Sequence, residues 1–105
     1  MDQEIIQSQL LPVLNESKAV IEMVDLDEEF KSAVDKINNL ASKPSNEDLL
    51  EIYGLYKQAT VGDCNTDRPG FFDQKNRAKW DSWNSKKGMS TEEAKQAYIK
   101  KANSL

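Results

Sequence analysis

The chain has 105 residues and a mass of 11.9 kDa, with 38% apolar and 30% charged residues, which suits one folded domain around one hydrophobic core. It contains no histidine and one cysteine, Cys64, which removes Ser-His-Asp and Cys-His catalysis, histidine-based metal sites, intrachain disulfides and a four-cysteine zinc site. Its net charge of −4 is carried by residues 1–25, and the remaining 80 residues balance at 13 acidic against 13 basic, which argues against the broadly basic surface that nucleic acid requires.

The first 25 residues read as an extension. MDQEIIQSQ carries acids where an export signal carries basic residues, and no apolar run in the chain approaches the roughly 18 residues of a membrane span. Val13, Leu14, Val20, Ile21 and Val24 recur at helix-compatible intervals behind Pro12, a residue comfortable in a first turn. The spacing predicts a helix over 12–24, with residues 1–10 loose or only partly helical.

Helical spacing continues through the rest. Phe30, Val34, Ile37 and Leu40 share one face, with Asp27, Glu28 and Glu29 in the first turn, giving a helix over 27–41 stopped by Lys43-Pro44. Ser45 caps a second helix over 46–60. Residues 61–72, VGDCNTDRPGFF, are too rich in turn formers for either period and read as a long ordered connection ending in an aromatic anchor, Phe71-Phe72. Within it, Arg68-Pro69-Gly70 reads as a structural turn, and Arg68 and Pro69 break the acid spacing that calcium would need. A third helix is expected over 73–86, with Lys75 and Lys79 on one face and Trp80 and Trp83 on a neighbouring one, the tryptophans being packing residues. Gly88 is placed like a helix C-cap, and Ser90-Thr91-Glu92-Glu93 forms a capping box before a fourth helix whose inner stripe is Ala94, Ala97, Tyr98 and Ala102. No strand is needed.

One ridge carries the chemistry. Tyr53, Tyr56 and Lys57 fall at i, i+3 and i+4, so two phenols and an ammonium lie together. If the third helix faces this ridge, Lys75, Arg77 and Lys79 add cations, and a phosphate becomes the natural guest. Lysine supplies point charge and tyrosine a hydroxyl and a ring, a mixture suited to a small nucleotide with several phosphates. By spacing alone, packing aromatics and a solvated lysine face are the commoner outcome. Cys64, flanked by Asp63 and Asp67 and lacking a histidine, reads as an unreactive thiol.

The run YKQATVGDCNTDRPGFFDQKNRAKWDSWN, residues 56–84, resembles the signature of the acyl-CoA-binding proteins, small four-helix carriers of long-chain fatty acyl-CoA esters. It combines Tyr-Lys-Gln-Ala-Thr-Val-Gly-Asp, an Asn-Thr-acid-Arg-Pro-Gly turn and Lys-x-x-x-Lys-Trp-Asp-x-Trp in order and with matching gaps. Phe30, Lys43-Pro44 and Ala97-Tyr98-Ile99 agree in the flanks, and the resemblance covers residues 26–105. It implies an all-α, up-down-down-up four-helix bundle, residues 26–105 forming an acyl-CoA-binding domain behind an N-terminal helical extension of residues 1–25. By the same resemblance, Tyr53, Tyr56 and Lys57 meet the CoA head group, with Lys57 and Lys79 at the ribose 3′-phosphate, the two tyrosines around the adenine, and Lys75 nearby. Tyr98 closes the site, and Leu49, Leu50, Val34 and Ala78 form the floor under the acyl chain. The first-helix position that is often lysine in the family is Asn38 here.

The resemblance implies a non-enzymatic carrier and pool former for long-chain fatty acyl-CoA; the single cysteine suits a reducing, cytoplasmic compartment, and a charge-neutral core in one short bundle suits a monomer. No metal or cofactor and no nucleic acid partner is expected, and acyl-CoA-using enzymes or transient membrane contact are the places of delivery. The alternative is an interaction module, or the excised domain of a larger acyl-CoA enzyme, docking a partner through residues 1–25; a further one has that extension folding over the acyl groove as a lid.

Overall fold

Ser45 and Ser90 turn their hydroxyls back onto the chain and set where two of the helices start. The structure is a computed structural model and describes residues 25–105. The helix expected over 12–24, the bulk of the proposed extension, lies outside the described residues. Among the described residues there are four helices and no strand: α1 over 25–38, α2 (Asn46–Thr60), α3 (Gln74–Asn84) and α4 (Thr91–Asn103). The Ser45 hydroxyl accepts the Asp48 N–H at 3.1 Å at the start of α2. At the start of α4 the Glu93 N–H donates to the Ser90 hydroxyl at 3.1 Å, and the Ser90 N–H donates to the Glu93 carboxylate at 3.2 Å. Both caps satisfy backbone donors that a helix start leaves unpaired.

Two ends differ from the sequence reading. α1 stops at 38 rather than 41, because the Asn39 side-chain amide donates to the Asp35 carbonyl at 2.7 Å and closes the helix well ahead of Pro44. α3 stops at Asn84 rather than 86; the Ser85 hydroxyl donates to the Ser82 carbonyl at 2.6 Å, the local bond by which serine competes with a continuing helix. Gly88, with φ of +93°, therefore ends the turn after α3 rather than the helix itself.

Ion pairs and hydrogen bonds give the helix directions. Lys95 meets Asp27 at 2.6 Å and Lys36 meets Asn103 at 3.4 Å, start to start and end to end, so α1 and α4 are parallel. Asp48 meets Lys101 at 2.6 Å while Gln58 reaches the Met89 carbonyl at 2.7 Å, so α2 and α4 are antiparallel. The architecture is an up-down-down-up bundle in which α2 packs on both α3 and α4. Neighbours of the same sense need a connection that returns the length of a helix, about 22 Å for fifteen residues, and residues 61–73 make that return.

The core comprises Phe30, Ala33, Ile52, Leu55, Ala59, Ala94, Tyr98 and Ala102, with Val34 and Ile37 packed against it. Phe30 meets Tyr98 edge-on at 5.0 Å and stacks on Tyr56 at 6.0 Å. Gly54 lets α3 lie against α2: a Cβ there would stand 2.8 Å from the Ser82 carbonyl oxygen, closer than carbon and oxygen tolerate. Ser82 in turn donates its hydroxyl to the Leu50 carbonyl at 2.5 Å.

The crossover is tied to α3. Trp83 donates its indole N–H to the Gly62 carbonyl at 2.7 Å, Trp80 donates to the Thr66 carbonyl at 2.9 Å, and Arg68 binds Asp81 through two bonds of 3.0 and 2.8 Å. Gln58, buried, donates to both Asp63 and the Met89 carbonyl, and Asp63 also accepts the Gly88 N–H, joining the crossover to the α3–α4 turn. One expectation is overturned: Phe71 and Phe72 anchor nothing, being 67% and 96% exposed. Among the described residues, no helix is long and apolar enough to cross a membrane.

Candidate functional site

Between the first turns of α2 and α3 lies a trough of about 460 Å³, within the size range of small-ligand sites. Leu49, Leu50, Tyr53 and Asn46 line it from α2, Lys75, Ala78 and Lys79 from α3, and Lys43 from the preceding loop. The close approach at Gly54 makes the seam, and because α2 and α3 run in the same sense, the aliphatic and cationic residues near their starts come to one end of it. Six of the ten residues singled out in the sequence meet here: Leu49, Leu50, Tyr53, Lys75, Ala78 and Lys79.

Further along the seam the helices exchange cations and rings. The Lys79 ammonium lies 5.4 Å from the centre of the Tyr53 ring, and the Lys57 ammonium lies 4.8 Å from the centre of the Trp83 ring. Tyr53 and Lys57 are one turn apart on α2, as Lys79 and Trp83 are on α3, so the two pairs occupy facing ridges. This corrects the expectation that the tryptophans occupy a face apart from the lysines. A smaller hollow of about 240 Å³ continues from the trough, sharing Tyr53 and Lys79 with it and adding Trp80, Trp83, Asn76, Asp67 and Asp73.

The remaining singled-out residues lie elsewhere around the seam. Tyr56 is 40% exposed and packs against both Phe30 and Tyr98. Tyr98 sits in the core rather than along the trough, and burial, with Tyr56 beside it, pushes its phenol above the ordinary tyrosine range. Val34 packs against the core and does not line the trough. Sequence reasoning missed Lys43 and Asn46, which line the trough mouth; the signal was their position on either side of the Ser45 cap.

Electrostatics separates this seam from its surroundings. Lys86, Lys95 and Lys101 pair with Glu51, Asp27 and Asp48. Among the described residues, no carboxylate stands within ion-pair distance of Lys57, Lys75 or Lys79. A second hollow of similar volume, about 450 Å³, lies between α1 and α4, but Asp25, Glu28 and Glu29 line it, the wrong sign for an anionic guest. Cations beside aromatic faces above an aliphatic floor can hold a phosphorylated head group and an oily tail in one continuous site.

Residues 27–102 match the family described as Acyl CoA binding protein. The chain belongs to the acyl-CoA-binding protein family. It is 54% identical over 80 residues to an acyl-CoA-binding protein of Brassica napus, covering 76% of this chain and 87% of that one. The crystal structure of Oryza sativa Acyl-CoA-Binding Protein 2 superposes with a TM-score of 0.77 at 49% identity, covering 80% of this chain and 91% of that one. The ACBP of Moniliophthora perniciosa gives 0.68 at 42% identity, covering 71% and 74%.

Proposed function

We infer that this chain binds long-chain fatty acyl-CoA esters between α2 and α3 and serves as a cytoplasmic, monomeric carrier and pool former, without catalysis. The observation that carries this reading is the trough itself, with Leu49, Leu50 and Ala78 continuous with Lys75 and Lys79, which form no ion pair among the described residues. In this reading Lys57 and Lys79 take the ribose 3′-phosphate, Tyr53 and Tyr56 flank the adenine, and Lys75 and Lys43 face the other phosphates. Tyr98 supports Tyr56 from the core. The residues lining the trough offer ammonium groups, a phenol, an amide and aliphatic carbons, groups suited to holding an ester intact rather than attacking its thioester carbonyl.

Magnitudes divide the labour. Each buried methylene contributes about 0.8 kcal/mol, so a sixteen-carbon chain offers roughly 10 kcal/mol before ordering costs. Charge-assisted hydrogen bonds add about 1.5–3 kcal/mol each. The tail thus supplies much of the affinity, and the head group selects esters over free acids. Titration calorimetry with palmitoyl-CoA, CoA and palmitate tests this reading. Palmitoyl-CoA is expected to bind far more tightly than either fragment. Palmitate binding as tightly as the ester, or no binding of the ester, would overturn it.

A further inference from the structure

The two most exposed phenylalanines of the described chain stand side by side, and the fold holds them there. The Asp73 N–H donates to the Gly70 carbonyl at 2.9 Å, closing a turn whose two corner residues are Phe71 and Phe72. Their rings meet edge to face, with centres 5.6 Å apart and planes at 84°. The Arg77 guanidinium covers Phe71 at 5.5 Å from the ring centre. Contiguous exposed apolar surface marks interaction sites, and a convex corner is buried fully only by a partner that can close around it.

Charge points to the partner. From 68 to 79 the chain carries Arg68, Lys75, Arg77 and Lys79 against one acid, Asp73, in a protein whose net charge is −4. Arg68 is shared with Asp81, while Asp67 and Asp73 line the smaller hollow beside Trp80. Exposed phenyl rings with the Arg77 guanidinium over one of them, and Lys75 in the first turn of the helix that follows, match the acyl boundary and head groups of an anionic bilayer. Such a surface needs no shape complementarity, whereas a protein partner would have to present a cleft for the corner. Phe72 also precedes α3 by only two residues, and the first turn of that helix supplies Lys75 to the trough, across from Lys43 and Asn46.

We propose that Phe71 and Phe72 form a wedge that inserts into anionic membrane surfaces and brings the trough mouth against the bilayer. Docking itself needs no acyl-CoA. Its use, passage of an acyl chain between trough and lipid with little exposure to water, rests on the carrier reading above.

The test uses the full chain without ligand, sedimented with vesicles of phosphatidylcholine and phosphatidylserine or of phosphatidylcholine alone. Binding is expected to the mixed vesicles, to fall with added salt, and to weaken about tenfold for Phe72→Ala and further for Phe71→Ala/Phe72→Ala. Melting temperature and palmitoyl-CoA affinity are expected to stay unchanged in the double variant. Phe72→Trp is expected to shift its emission to the blue on the mixed vesicles. The proposal is overturned if the wild type ignores these vesicles or the double variant binds them equally well. It is overturned too if the double variant abolishes a dimer instead, which would give the corner to a second copy of the chain. Vesicle binding without acyl-CoA binding would sink the carrier reading and leave the wedge standing.

Discussion

The two sides of α2 are built on opposite terms. Toward α4, Ala94 and Ala102 are fully buried, Tyr98 packs against Tyr56, and the flanking Lys101 has its carboxylate partner in Asp48. Toward α3, a glycine permits close approach at one point, and beyond it the helices part around a trough whose lysines rest on aromatic rings or face open space. The first side is satisfied by the protein alone. The second gathers like charges over exposed carbon, an arrangement relieved by an anionic, oily guest. In the proposed reading stability and binding are separable across one helix, the usual division between a rigid scaffold and a site held away from its own stability optimum.

The strongest way to break this contrast is to push the second side apart. Gly54→Val would drive side-chain carbons into Ser82 and is expected to cost about 1–3 kcal/mol in stability. It should also reduce palmitoyl-CoA affinity more than any single lysine change, read by urea midpoint and calorimetry together. Retained affinity would show that the seam does not need close approach.

Next in size is the exchange of lysines between the two sides. Lys79→Ala is expected to weaken both CoA and palmitoyl-CoA roughly 10- to 100-fold, the loss of one charge-assisted contact, with the ligand-free melting temperature unchanged or slightly higher. Lys101→Ala, which removes the partner of Asp48, should do the reverse: a small loss of stability and no change in affinity. If both lysines shift affinity equally, the division is wrong.

The α2 and α4 starts were legible in the sequence because a cap is a local device. Ser45 and the Ser90–Glu93 box need only three residues of context, and both work as read. The end of α1 was misplaced because Pro44 is a conspicuous breaker, whereas the Asn39 amide closing on Asp35 is visible only once the turn is formed. Phe71-Phe72 reads as an aromatic anchor in the sequence, but the expectation that large apolar side chains lie inside runs one way only, since folded surfaces remain rich in apolar atoms. Of the site, the α2 ridge and its α3 counterpart followed from helical spacing. Lys43 and Asn46 did not, because the trough mouth is made by two helix starts meeting in space. The need for glycine at 54 depends on what faces it, and Ser82 lies 28 positions away.

The smallest expected effect concerns pH. The Gly88 N–H, and after it the Gln58 amide, hold the Asp63 carboxyl below the usual carboxylate range, and Arg68 does the same for Asp81. A lowered folded-state value stabilises the fold above the unfolded value near pH 4, and that contribution fades as pH falls through the folded value. Asp63→Asn should therefore lower stability at pH 7, lose that difference in strong acid, and flatten the acid limb of the stability curve. A constant difference across pH would assign the effect to geometry instead of charge.

The central claim is that α2 and α3, and not the acidic hollow between α1 and α4, receive the ligand. Backbone and side-chain NMR shifts during titration with palmitoyl-CoA test it most directly. The account predicts the largest changes at Leu49, Leu50, Tyr53, Lys57, Ala78 and Lys79, with Glu28, Glu29 and Asn103 still. Changes concentrated at Glu28, Ser32, Ile99 and Asn103, with the α2–α3 seam unmoved, would contradict it.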